Sequence, residues 1–154
     1  MFRIARLVCL SLTVLTFFAA AGLSLSAQEK SDWGFQTNDD RVEVTLRGQP
    51  IADFVFHDDV IRRPYLCHVK TQSGIQVTRN HPPVAGQDPV DHDTMHPGIW
   101  LGFGDISGVD FWRNKGAIRH VQFVRSPQVV DGRLSFETES YLLDDDSHLI
   151  GSVN

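Results

Sequence analysis

Three histidines, His81, His92 and His96, fall in a proline- and glycine-rich stretch between Arg62 and Trp112. Imidazole changes charge near neutral pH, so it can give a proton, take one or ligate a metal. Three imidazoles with an open fourth position form the donor set of a catalytic zinc site, and copper or iron accepts similar ligands. His92 and His96 stand four residues apart, a spacing that would put both rings on one face of a helix. Pro89, Pro97 and Gly98 flank them, which disfavours a regular helix. A metal set of His81, His92 and His96 would therefore have to be assembled by a loop, and no H-E-x-x-H glutamate accompanies it. The competing reading has these rings bonding loop backbone or touching a ligand directly.

Other side chains nearby widen the choice. His81 and His96 suit proton transfer at a sugar hydroxyl or ring oxygen, with Asp105 as orienter or base. Against that, Asp105 and Asp110 flank Gly108, and Asp beside Gly commonly closes a tight turn by bonding its own backbone. Arg79 offers a planar fork of donors and Asn80 a two-way amide, a pair fitted to hydroxyls or a carboxylate; the alternative is an arginine that braces its loop. Trp100 is a candidate platform for the C–H face of a sugar, while Trp112 is expected in the core. Cys67, in the strand pattern Tyr65-Leu66-Cys67-His68-Val69, reads as a small buried hydrophobe. The run Asp144-Asp145-Asp146 lacks the ligand spacing of an EF-hand and reads as a solvated turn. There is no phosphate loop, dinucleotide glycine pattern or G-x-S-x-G elbow.

The elements that must position these groups are β-strands. In Arg41–Leu46, Val42, Val44 and Leu46 alternate with polar residues; Gly48 and Pro50 interrupt, and Ile51–Phe56 completes a hairpin. Tyr65–Lys70 and Ile75–Thr78 flank Gln72-Ser73-Gly74 as a second hairpin. Ile99–Phe103, Val109–Trp112 and Ile118–Val124 are further strands, and Ser135–Leu142 follows the Asp131-Gly132 turn signal. Short strands cut by Gly and Pro predict an all-β, antiparallel sandwich or barrel over residues 41–154. The loop from Asn80 to Pro97 is long for a compact domain, and long ordered loops are usually functional.

Residues 1–27 read as a signal peptide: Arg3 and Arg6, an apolar run from Leu7 to Leu23, and small residues from Ser24 to Ala27. Residues 28–40 are expected to be a flexible segment. Export to the periplasm or beyond follows, with no membrane span after cleavage. The leader carries two arginines and no acid, so the remainder is more acidic than the chain's formal charge of −5. That excludes a general nucleic-acid binder, which needs a basic face. Past the leader one cysteine remains, so no internal disulfide is expected.

Arg62-Arg63-Pro64-Tyr65, Gly74, Val77-Thr78-Arg79-Asn80-His81-Pro82-Pro83, His96-Pro97-Gly98 before Trp100, Gly104-Asp105 and Gly108-Val109-Asp110-Phe111-Trp112 together resemble the PmoA family, whose label reads methane oxygenase. The resemblance runs from about Val42 to the C-terminus. It implies a secreted β-sandwich, of a shape akin to the mutarotase-like supersandwich. It also implies a carbohydrate role, because such proteins occur in bacteria rich in polysaccharide-degrading genes. The label is not an activity: the particulate methane monooxygenase subunit spans a membrane several times. Relatives carry adjacent histidines where this chain has Met95-His96, which weakens a three-histidine metal site, and they continue past Asn154, so this chain is expected to be the N-terminal part of a longer domain. Three functions follow as expectations: a carbohydrate-processing protein with its site in 79–112, a non-catalytic glycan-binding module, or an oxygenase with copper or iron on the three histidines.

Overall fold

The computed structural model describes residues 31–154. The expected leader lies outside them. The strands are β1 (Trp33–Thr37), β2 (Arg41–Leu46), β3 (Gln49–Val55), β4 (Tyr65–Cys67), β5 (Ile99–Trp100), β6 (Asp105–Ile106), β7 (Val109–Asp110), β8 (Ala117–Val130), β9 (Arg133–Leu143) and β10 (Leu149–Val153). The described chain is all-β, and every strand pair is antiparallel. One sheet has the order β1-β2-β3-β4-β5, a second β10-β9-β8, and β6-β7 form a ribbon. Among the described residues no helix is long and apolar enough to cross a membrane.

Two hairpins stand where alternation and turn chemistry put them. Arg47 and Gly48 (φ 53° and 76°) join β2 to β3, and Asp131 and Gly132 (φ 50° and 70°) join β8 to β9. Positive φ at both central residues is the two-residue turn whose twist matches that of the strands. The inner face of the larger sheet carries Val42 paired with Phe54 and Val44 paired with Ala52. Phe54 meets Phe136 at 4.9 Å, and Phe56 meets Phe123 at 5.3 Å and His120 at 4.8 Å. These aromatic contacts join the two sheets as a sandwich. A second core gathers Phe111, Ile118 and Leu142, with Val109 and Ile106 bringing the ribbon onto β8 and β9.

The opposite face of the larger sheet matters most here. Strand residues in register share a face. Asp53 pairs with Cys67, Val55 with Tyr65, and Tyr65 with Trp100, so these five point away from the sheet–sheet interface. Ile61, from the segment before β4, covers them and closes a small core of Val55, Ile61, Tyr65 and Cys67, with Trp100 packed against it.

Three expectations are corrected. Trp33–Thr37, inside the segment read as flexible, is an edge strand paired along its length with β2. The second hairpin shrinks to a single bridge, Lys70 with Gln76. The chain turns at His68 (φ 51°), so β4 ends at Cys67 and spends its pairing on β3 and β5. Trp112, expected in the core, is 46% exposed, and its neighbour Phe111 is buried at 1%.

Candidate functional site

The long loop is built around Arg79. Its Nε donates to His96 O (2.7 Å), Nη1 to Pro89 O and Asp91 O (3.0 Å each) and Nη2 to His92 O (3.0 Å). The bracing reading describes Arg79, and these donors are unavailable to a substrate. Asn80 is likewise spoken for. Its backbone N and Nδ2 donate to Asp88, and its Oδ1 accepts from Gln76 Nε2. Asp88 also accepts from Val84 N. The Asn80 side chain, then the Val84 and Asn80 amides, hold the Asp88 carboxyl below its ordinary value of 3.8.

A depressed carboxyl stabilises the fold above the unfolded-state value, and that contribution is lost as pH falls through the lower folded value. The 80–88 turn should therefore loosen in acid beneath pH 3.8. Amide exchange at Asn80 and Val84 should accelerate there before that of the sheet strands, and Asp88→Ala should remove the acid dependence.

The loop delivers His96 to an aromatic group. Its ring lies 5.0 Å from Trp100 and 6.0 Å from Trp112, and the two tryptophans are 5.8 Å apart. Gly102 permits this closeness, since a Cβ there would stand 2.9 Å from Trp112 Cε3. A groove of about 440 Å³ opens beside His96 and Trp100, walled by Val77, Thr78 and Asp91. His92 does not line the groove; its ring is 5.9 Å from His96 and its Nδ1 3.0 Å from Asp91 Oδ2.

His81 goes elsewhere. It packs edge-on against Tyr65 at 5.2 Å, and its buried Nδ1 has no hydrogen-bond partner. Burial holds its imidazole below the ordinary value, against the opposing pull of Asp58. Tyr65 OH donates to Asp58 Oδ2 (2.7 Å), while the Val60 and Ile61 amides donate to Oδ1. Burial, then the bond to Asp58, pushes the Tyr65 phenol well up. Asp105 closes the β6–β7 turn by accepting from Gly108 N at 2.7 Å, and Asp110 accepts from Arg113. Among the described residues no carboxylate is hydrogen-bonded to His81 or His96. The expected proton-transfer set of His81, His96 and Asp105 is thus not assembled as a hydrogen-bonded unit.

The metal expectation changes in the same way. Among the described residues, the ligand-type group whose donor atoms all lie within 4.8 Å of one another is Asp53, Cys67 and His68. His81, His92 and His96 do not form such a group. His68 Nδ1 is 2.8 Å from Asp53 Oδ2 and 3.6 Å from Cys67 Sγ. Burial, then the Asp53 charge, pushes the Cys67 thiol up to about 12. His68 Nδ1 stands within reach of both partners, so this cluster reads as a hydrogen-bonded structural group, and Cys67, 1% exposed, is the buried small residue expected.

The residue that sequence reasoning missed is Arg63. It is 5% exposed, with its guanidinium 5.5 Å over the Trp100 ring. Nη2 donates to Asn114 Oδ1 and to Trp112 O (3.4 Å). A signal was present: Ile61, Arg63, Tyr65 and Cys67 alternate along the chain, and all four are buried. An arginine on an apolar stripe of period two is a buried polar group, the informative kind of exception.

The profile of a family of unknown function, DUF6807, matches residues 41–150. The chain belongs to this family. The DUF6807 match begins at the first residue of β2 and ends within β10, so it takes in the Arg79 loop, the aromatic group and Arg63. No curated protein and no solved structure matches the chain.

Proposed function

We propose that this DUF6807 protein is an exported glycan-binding protein, with its sugar contact at Trp112, His96 and Trp100. The observation that carries the reading is the exposed Trp112 ring, braced by Trp100 and His96, which themselves line an open groove. An indole held out of the core in this way suits the C–H face of a sugar, and His96 supplies a hydrogen-bonding edge for a hydroxyl. Binding is favoured over processing because Asp105, Arg79 and Asn80 are committed to turn and loop bonds. The resemblance to the PmoA family supports a carbohydrate association, and the basic-apolar start of the sequence supports export. The oxygenase alternative needs His81, His92 and His96 to converge, and the geometry offers it no such support.

Trp112→Ala should weaken glycan affinity by about thirtyfold or more, the scale of an interface residue worth about 2 kcal/mol. Its Tm should change little, since the ring is half outside. A titration against a panel of neutral and acidic oligosaccharides reads both. Unchanged affinity in Trp112→Ala for every sugar that binds would sink the reading, as would hydrolysis or rearrangement of a bound sugar that depends on His96.

A further inference from the structure

Four buried side-chain nitrogens among the described residues lack a hydrogen-bond partner: Arg63 Nη1, His81 Nδ1, Trp100 Nε1 and His120 Nδ1. Arg63 and His120 line one cleft of about 330 Å³, between the turn before β4 and the start of β8. A guanidinium keeps its charge at any ordinary pH. Burying that charge without a counter-charge is costly, so a buried arginine is normally paired. Arg63 has no carboxylate within ion-pair distance among the described residues. Its pKa is pushed down by burial, with no acid pulling it back.

The acids of the cleft do not answer this charge. Asp58 is committed through both oxygens to Tyr65 OH and to the Val60 and Ile61 amides, and Asp59 is exposed. Arg119 adds an exposed guanidinium to the lining, with no ion-pair partner among the described residues. The cleft wall thus carries three arginines, Arg62, Arg63 and Arg119, against two acids, Asp58 and Asp59, in a chain whose formal net charge is −5, and Arg63 Nη1 and His120 Nδ1 lie just beneath its surface. A general electrostatic attraction for anions is excluded, and what remains is local. The chemistry that satisfies a planar fork with a free N–H is an oxyanion.

We infer that this cleft binds an oxyanion, seated by Arg63 and His120 with Arg119 beside them, and that the oxyanion is the acidic substituent of a bound sugar, a carboxylate or a sulfate ester. The sugar part rests on the glycan-binding reading. It follows from position: Arg63 lies over Trp100 and donates to the Trp112 carbonyl, so the anion cleft adjoins the aromatic group. One ligand can then set its ring on Trp112 and turn its charged group toward Arg63.

The test is calorimetric titration of the protein at constant ionic strength with four probes: cellobiose, its uronic-acid counterpart, its 6-sulfated counterpart, and sodium sulfate. At least one acidic disaccharide should bind about tenfold or more tighter than cellobiose, the loss or gain of one charge-assisted hydrogen bond. Which acidic sugar gains identifies carboxylate or sulfate. Arg63→Lys keeps the charge but not the fork and should cut the increment, read as the ratio of acidic-sugar to cellobiose affinity within the same variant because Arg63 also supports Trp100 and the Trp112 carbonyl. Arg119→Gln, at an exposed position where folding is not at stake, should reduce it. Equal affinity for acidic and neutral sugars, or an increment that survives in both variants, overturns the inference and leaves the glycan reading standing. Sulfate binding that both variants weaken, with no sugar bound at all, sustains the oxyanion cleft and overturns the glycan reading.

Discussion

Replacing Gly98 by alanine is expected to cost the fold about 3 kcal/mol or more and to remove glycan binding with it. The reason is backbone, not side chain. A Cβ at this position would lie 2.0 Å from Leu66 O, 3.0 Å from Leu66 C and 3.2 Å from Cys67 Cα. A flexible side chain could swing aside, but the Leu66 carbonyl belongs to β4, which is held between β3 and β5. The strain must be released by parting β5 from β4. Only Tyr65 with Trp100 and Leu66 with Ile99 hold that pair together. Once it opens, Trp100 leaves Arg63, His96 and Trp112, and the aromatic group loses its base. Urea denaturation should show a lowered midpoint, and titration with a bound sugar should show no heat. Gly104→Ala is the matched control, since a Cβ there meets nothing within 4 Å. A Gly98→Ala protein as stable as that control would refute the packing argument.

The same residues show where sequence reasoning reaches and where it stops. Val42, Val44 and Leu46 reveal their strand because one face of it is buried, and Gly48 and Asp131-Gly132 mark their turns because Gly, and to a lesser degree Asp, accept positive φ; Arg47, at φ 53°, gives no such signal. Strand β1 has no such stripe: Phe35, Gln36 and Thr37 are all exposed, and pairing alone makes it a strand. Phe111 and Trp112 show that alternation speaks only for residues within a strand. The strand expected over Val109–Trp112 stops at Asp110, so Phe111 and Trp112 sit in a turn where alternation no longer sets the direction, and Phe111 takes the core position while Trp112 faces outward. The histidines lie in a loop with no period at all. Their separation, with His96 on the tryptophans and His81 on Tyr65, is decided by where Arg79 finds carbonyl oxygens and by how the chain leaves β4. That is tertiary information, absent from the spacing of the residues. Arg63 was legible, in contrast, as the one charged member of the stripe that Ile61, Tyr65 and Cys67 define.

Arg79→Met should be the most damaging change within the long loop. The methionine fills part of the same volume and donates nothing, so the carbonyls of Pro89, Asp91, His92 and His96 all lose their partner together. Water can reach three of these bonds, which are exposed, and will recover part of the loss. The bond to His96 O is partly buried and is not so easily replaced. A net cost of about 2–3 kcal/mol is expected, well below four independent charge-assisted bonds. The functional effect should be larger than the thermal one. Arg79 ties both ends of the 89–96 segment to one planar group, and that tie fixes where His96 stands against Trp100 and Trp112. Without it, each sugar that binds must first pay to order the segment, so affinity falls even though no sugar-contacting side chain has changed. Limited proteolysis should show new cleavage between residues 84 and 96, while the amides of β8 and β9 keep their exchange protection. Arg79→Lys is the discriminating companion, because a single ammonium restores the charge but cannot span four carbonyls. If Arg79→Lys matches the parent in both proteolysis and affinity, the loop is held by charge alone and the fork geometry is irrelevant to the site.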